Sequence, residues 1–232
     1  GKIPTVDTLK HLIDEMAYYK LNSLQLYVEH TFEFEETKDL IDKTGYLSKE
    51  ELLEIKKYCY QNFIDFIPSL STFGHLYELL TQEEYMHFNV LSKYSEMVNS
   101  WQARQIHHTI DPRKDGSFKI VQSLINQYAS NFSSDYFNIC CDETADLTAE
   151  CGSAAGDLYV EFVNKIIEHT KGKGKKVMMW ADILLQHPES IALIPEETIF
   201  LNWDYRANPI EENIAKFSAH SRKQILCPGT WT

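Results

Sequence analysis

Strand-like and helix-like segments alternate along the chain, and the strands are nearly unbroken apolar runs. Polar and aromatic residues collect at the C-terminal end of each strand. Together these observations predict an α/β fold, a (β/α)8 TIM barrel. Alternation implies parallel strands joined by crossover helices, and apolar strands imply a sheet covered on its outside by those helices. The residues at the strand ends then sit on the edge of the barrel where active sites are built. An open doubly wound sheet would need a glycine-rich phosphate loop after an early strand, and the sequence has none.

Thr5 to Tyr19 reads as a helix, because Leu9, Leu12, Ile13, Met16 and Ala17 recur at helical spacing behind a cap at Thr5 or Asp7. SLQLYVEH (23–30) is short and rich in strand formers. Ser48-Lys49-Glu50-Glu51 is a capping box that opens a helix to about Gln61. FIDFIPSLSTFGH (63–75) reads as a strand running into a loop, followed by a polar stretch over 81–115 that contains HHTIDP. A helix from Ser117 to Ser130 leads to the strand YFNICC (136–141). A second from Asp157 to Lys171 ends at Gly172, before the strand KVMMWADIL (176–184). TIFLNWDY (198–205) is a strand, Asn208-Pro209 starts a helix to about Ala219, and KQILCPGTWT (223–232) is the last strand.

Six strands result. The series opens on a helix and closes on a strand, so an incomplete barrel is expected, with one strand missing at each end. Residues 1–232 read as a single catalytic barrel domain and as a fragment of a larger protein. Its exposed sheet edges call for flanking sequence or a homodimeric partner.

Of the 232 residues, 44% are hydrophobic and 24% are charged, enough for a sizeable core and too apolar for wholesale disorder. The formal net charge of −12 repels phosphate, so nucleic acid is not an expected partner. No run approaches a membrane span, and GKIPTVDTLK has no apolar signal-peptide core. The chain is expected to be cytoplasmic or part of a larger secreted or surface protein. The five cysteines include no CxxC pair, which argues against a zinc knuckle and for buried thiols in a reducing environment.

The sharpest feature is Asp142-Glu143 in FNICCDET. If the strand alternates, Asn138, Cys140 and Asp142 face the barrel interior, while Phe137, Ile139 and Cys141 face the helices. Both acids reach one pocket because the strand ends there. The alternative reading places them in the first turn of a helix, where acids are favoured. Trp180, Trp203 and Trp231 fall at strand C-termini, where rigid indoles wall a sugar-sized pocket, although core packing is their commoner fate. His30 faces the site from its strand end, and Glu29 faces the other way.

These motifs carry a resemblance. FNICCDET resembles the acidic pair of glycoside hydrolase family 20, the β-N-acetylhexosaminidases. STFGH is similar to that family's third-strand Gly-His and MMWADIL to its fifth-strand tryptophan motif. LNWDY and PGTWT are similar to its sixth and seventh strands, and LQLYVEHTFEF resembles the second strand of a subgroup. The resemblance implies hydrolysis of terminal β-linked N-acetylhexosamine, with retention, by substrate-assisted catalysis and with no cofactor or metal. Glu143 would be the general acid and base. Asp142 would orient the acetamido group that attacks C1. Tyr205 would donate a hydrogen bond to the acetamido oxygen. Trp180, Trp203 and Trp231 would wall the pocket, with His75, Asp204, His30 and His108 as further substrate-side residues. A neighbouring anion and partial burial should raise the Glu143 pKa.

The sequence departs from the family in three places. A substrate-binding arginine at the end of the first strand has no counterpart among Arg104, Arg113, Arg206 and Arg222. The eighth strand is absent, and Cys140-Cys141 replaces the glycines that usually precede the acidic pair. Two other functions compete with the leading one. A metal-dependent barrel hydrolase would use His30, His75, His107 and Asp182. A non-catalytic carbohydrate-binding barrel would keep only the aromatic pocket.

Overall fold

The computed structural model describes residues 3–39, 45–91, 108–206 and 211–229. Six strands form one sheet in sequential order, and every neighbouring pair is parallel. They are β1 (Ser23–Val28), β2 (Asp65–Leu70), β3 (Tyr136–Asn138), β4 (Lys176–Trp180), β5 (Ile199–Asp204) and β6 (Gln224–Pro228). This is the expected incomplete barrel. Its curl is visible in contacts that cross the interior. Tyr27 of β1 bonds to Asp142, beyond β3, and its ring lies 6.5 Å from Trp180 at the end of β4.

The main helices are α1 (Val6–Tyr18), α2 (Lys49–Gln61), α4 (Ser117–Ala129), α6 (Ala155–Lys171) and α8 (Glu211–Ala219). Shorter ones are α3 (Tyr77–Leu80), α5 (Ala145–Cys151) and α7 (Asp182–Gln186). Thr5 caps α1 through the Thr8 N–H, and Ser48 and Glu51 form both bonds of the expected capping box on α2, a device worth about 1 kcal/mol. Each long helix turns an apolar stripe to the sheet: Leu9, Ile13 and Met16 of α1; Leu52, Ile55 and Cys59 of α2; Val163, Ile166 and Ile167 of α6. The principal core lies in this layer. A smaller cluster of Ile67, Met178 and Leu201 marks the barrel interior, where a cavity of about 720 Å³ extends up to Tyr27 and Trp180.

Element types follow the sequence, and several boundaries do not. The strand expected over 136–141 stops at Asn138. The one expected over 176–184 stops at Trp180 and turns directly into α7. The helix expected from Asp157 is preceded by α5, because the residues after Glu143 start a short helix of their own. Residues 207–210, including Asn208 and Pro209, lie outside the described residues, as do 230–232 and 92–107. All five cysteines are free; Cys59, Cys140 and Cys141 are buried, whereas Cys151 and Cys227 are partly exposed. No helix among the described residues is long and apolar enough to cross a membrane.

Candidate active site

The acidic pair reaches the mouth of the barrel through a left-handed turn. After Asn138 the backbone leaves the sheet, and Cys140, Cys141 and Glu143 adopt φ values of 58°, 65° and 49°. Non-glycine residues rarely adopt this region, at a cost of about 1–2 kcal/mol each. It explains why the resembled sequences place glycine where this one has Cys140 and Cys141. Buried contacts hold the strained turn. Cys140 Sγ lies 3.4 Å from Ser69 Oγ, the Thr72 hydroxyl donates to the Ile139 carbonyl at 2.6 Å, and the Tyr159 hydroxyl donates to the Cys141 carbonyl at 2.8 Å. Burial pushes both thiols up, so neither is a ready nucleophile.

Asp142 points into the barrel, as the alternation predicts. It accepts hydrogen bonds from the Tyr27 hydroxyl at 3.0 and 3.2 Å. Glu143 turns the other way, against His75. The imidazole Nε2 lies 3.2 Å from Glu143 Oε2 and 3.5 Å from Asp142 Oδ2, and its Nδ1 lies 3.2 Å from Glu29 Oε1. Three carboxylates from two loops thus surround one imidazole. Close approach of the two loops requires the glycine of STFGH, because a Cβ on Gly74 would meet the Asp142 carbonyl oxygen at 2.4 Å.

Glu29 is a correction to the sequence reading. The strand ends at Val28, so its period of two no longer applies, and the side chain reaches the site instead of facing away. His30 is buried beside it, with Nδ1 3.7 Å from Glu29 Oε2. Tyr27 was missed altogether. The signal was available in its inward position two residues before Glu29, on the same face as Gln25.

The electrostatics also correct an expectation. Burial alone would depress the His75 pKa, but Glu143, Glu29 and Asp142 outweigh it and hold the imidazolium up to about 10. Contact with this cation, more than burial opposes it, lowers Glu143 instead of raising it. Glu29 is buried as well, and the His75 contact again leaves it lowered. The raised carboxyls are Asp142 and Asp182. Burial is the main cause for both, with the Asp182 charge adding to it at Asp142 and the Glu143 charge adding to it at Asp182. Asp182, at the start of α7, accepts the Glu143 N–H at 2.9 Å and also interacts with the Trp203 side chain. It therefore ties the acidic turn to the indole wall.

Trp180 lines the interior cavity near Tyr27. The Trp203 and Tyr205 rings lie 5.1 Å apart, and Tyr205 is 61% exposed. Asp204 accepts two bonds from the Arg206 guanidinium, so its carboxylate is engaged. His108 is fully buried, stacked on His75 with ring centroids 4.6 Å apart. Trp231 and His107 lie outside the described residues. Among the described residues no three His, Cys, Asp or Glu side chains are grouped to hold a metal ion.

Proton-transfer groups at the C-terminal mouth of a parallel barrel, beside indoles, are the equipment of a glycoside hydrolase. The model of "Glycosyl hydrolase family 20, catalytic domain" matches residues 3–232, and the chain belongs to that family. Hexosaminidase D of Bos taurus is 22% identical over 223 residues, covering 90% of this chain and 61% of the relative. The chitobiase of Flavobacterium johnsoniae superposes with a TM-score of 0.78 at 21% identity, over 98% of this chain and 36% of that one. The β-N-acetylhexosaminidase of Bacteroides fragilis gives 0.77 at 18% identity, over 100% and 49%. The chain therefore spans less than two thirds of each of these proteins.

Proposed function

We propose that the protein is an exo-acting, retaining β-N-acetylhexosaminidase that removes terminal β-linked N-acetylglucosamine or N-acetylgalactosamine, and that residues 1–232 are most of its catalytic barrel. The observation that carries this reading is the pairing of two adjacent acids with different partners: Glu143 on His75 and Asp142 on Tyr27. Ordinary glycosidases set two carboxylates on opposite faces of the sugar, about 5–9.5 Å apart, and family 20 is an exception to that scheme. Adjacent acids suit a division in which one serves the leaving group and the other serves the substrate's own amide.

Glu143 protonates the glycosidic oxygen. The 2-acetamido oxygen attacks C1, forming a cyclic oxazolinium-type intermediate. Water, activated by Glu143, then opens it with net retention. Asp142 receives the acetamido N–H and stabilises its developing positive charge, and Tyr205 donates to the acetamido oxygen. Trp180, Trp203 and Trp231 enclose the sugar. His30, Asp204 and His108 act at its margin, His108 through His75. Glu143 needs a proton for the first step although its pKa is lowered in the empty site. The Glu143–His75 pair shares one proton, and a bound sugar that expels water penalises the charge-separated form, which moves the proton onto the carboxyl.

Turnover of an aryl N-acetylglucosaminide by the full-length protein tests the reading. Glu143→Gln should abolish turnover, by at least about 10²-fold. An intact rate in that variant rejects the assignment. A thiazoline mimic of the cyclised intermediate should bind far more tightly than N-acetylglucosamine.

A further inference from the structure

We propose that Asp146 is a positioning residue of the acid–base site: it holds His108 flat against His75 and so fixes the imidazole between Glu29 and Glu143. The inference rests on the function proposed above. Asp146 lies in α5, three residues beyond Glu143, and is 1% exposed. Its Oδ2 accepts the backbone N–H groups of His108 at 3.2 Å and Thr109 at 2.9 Å. Its Oδ1 accepts the Leu147 N–H at 3.1 Å and the Thr109 hydroxyl. A buried carboxylate with four donors is fully engaged, and the two residues it grips lose their freedom to shift.

The gripped segment lies along the Gly74–His75 loop. The Leu76 N–H donates to the His108 carbonyl at 3.0 Å, and the Ile110 N–H donates to the Phe73 carbonyl at 3.1 Å. The His108 ring consequently lies on the His75 ring, with planes 13° apart, while Tyr27 meets His75 edge-on at 5.7 Å. His75 itself has a left-handed backbone, φ 58°. Its neighbours, not a regular element, therefore set its ring plane. The chain of contacts runs from Asp146 through His108 and His75 to Glu143. Its two ends sit three residues apart on the same turn, so the acid and the device that aims its partner are built together.

The test uses the full-length protein and an aryl N-acetylglucosaminide, with kcat and KM measured separately across pH. Asp146→Asn should lower kcat by about 10- to 100-fold and leave KM within about twofold, because a displaced imidazole impairs proton transfer more than binding. His108→Ala should behave alike, the double variant should be no slower than the worse single one, and His108→Phe, which keeps a flat ring, should recover most of the rate. The groups facing His75 are Glu29 and Tyr27 at the end of β1, Asp142 and Glu143 on the turn after β3, and His108. His30 and Glu78 line the small cavity behind it. Loosened contact with the three carboxylates should move the alkaline limb of kcat to lower pH, and NMR titration of the His75 ring should show the same fall without any turnover. Unchanged kcat and an unchanged His75 titration in Asp146→Asn overturn the proposal. So do multiplying losses in the double variant, or equal rates for His108→Ala and His108→Phe if Asp146→Asn does not fold. A wild-type protein that turns over no N-acetylhexosaminide sinks the proposed function instead, and the His75 titration still decides the positioning role.

Discussion

Replacing Gly74 by alanine puts a methyl group 2.4 Å from the Asp142 carbonyl oxygen, about 1 Å inside ordinary contact, which begins at 3.4 Å. The obstacle is backbone, so no side chain can rotate away. One of the two loops must move by roughly that ångström. His75 follows Gly74 directly and Glu143 follows Asp142 directly, so the displacement falls on a pair now 3.2 Å apart. A misplacement of about 1 Å in a catalytic constellation costs on the order of 10²-fold in rate. The overpacking should cost about 1–3 kcal/mol, a Tm lower by roughly 2–10 °C in a domain of this size. Gly156 supplies the control. It lies in α6, where an added Cβ meets only the His187 ring at 3.6 Å, so Gly156→Ala should keep full activity and gain about 0.5 kcal/mol. The assay is aryl N-acetylglucosaminide turnover beside a thermal melt for both variants. Gly74→Ala with wild-type kcat and Tm would refute the reasoning, since the loops would then not be held as close as the structure places them.

Tyr27→Phe removes both hydroxyl bonds from Asp142, which should push the Asp142 pKa further up and shift the acid limb of kcat/KM to higher pH, with about a tenfold loss of rate; an unmoved limb would exclude Tyr27 from the site. His75 has a folded pKa near 10 against an ordinary 6.5. Its stabilising contribution is therefore complete below about pH 6.5 and is lost as pH rises through about 10, at about 1.4 kcal/mol per unit, and urea unfolding should show this loss in the wild type and not in His75→Phe. A chelator should leave turnover unchanged, whereas its loss would point to the metal-dependent alternative with His30, His75, His107 and Asp182 as ligands.

Much of the architecture was legible before any coordinates. Apolar periodicity marks α1, α2, α4 and α6, because each must bury one stripe against the sheet, and Ser48 with Glu51 marks the start of α2 unaided. The inward set Asn138, Cys140, Asp142 was also readable, and all three contact interior partners: Gln25 and Ser69 for Asn138, Ser69 for Cys140, and Tyr27 for Asp142. Yet the last two owe their direction to a left-handed turn and not to a continuing strand.

Local pattern stops informing where regular structure stops. Glu29 lies one residue past β1, so alternation had no hold on it, and only the folded chain shows that it reaches His75 from a separate loop. The same holds for the sign of the Glu143 pKa shift: the sequence shows an adjacent anion, while the decisive charge is an imidazolium 68 positions away in the chain. Residue types and their order settle which segments become strands and helices, and which acids lie near a strand end, because those follow from short-range periodicity. Which groups share a proton is settled by distances between loops, and these depend on the curl of the whole sheet.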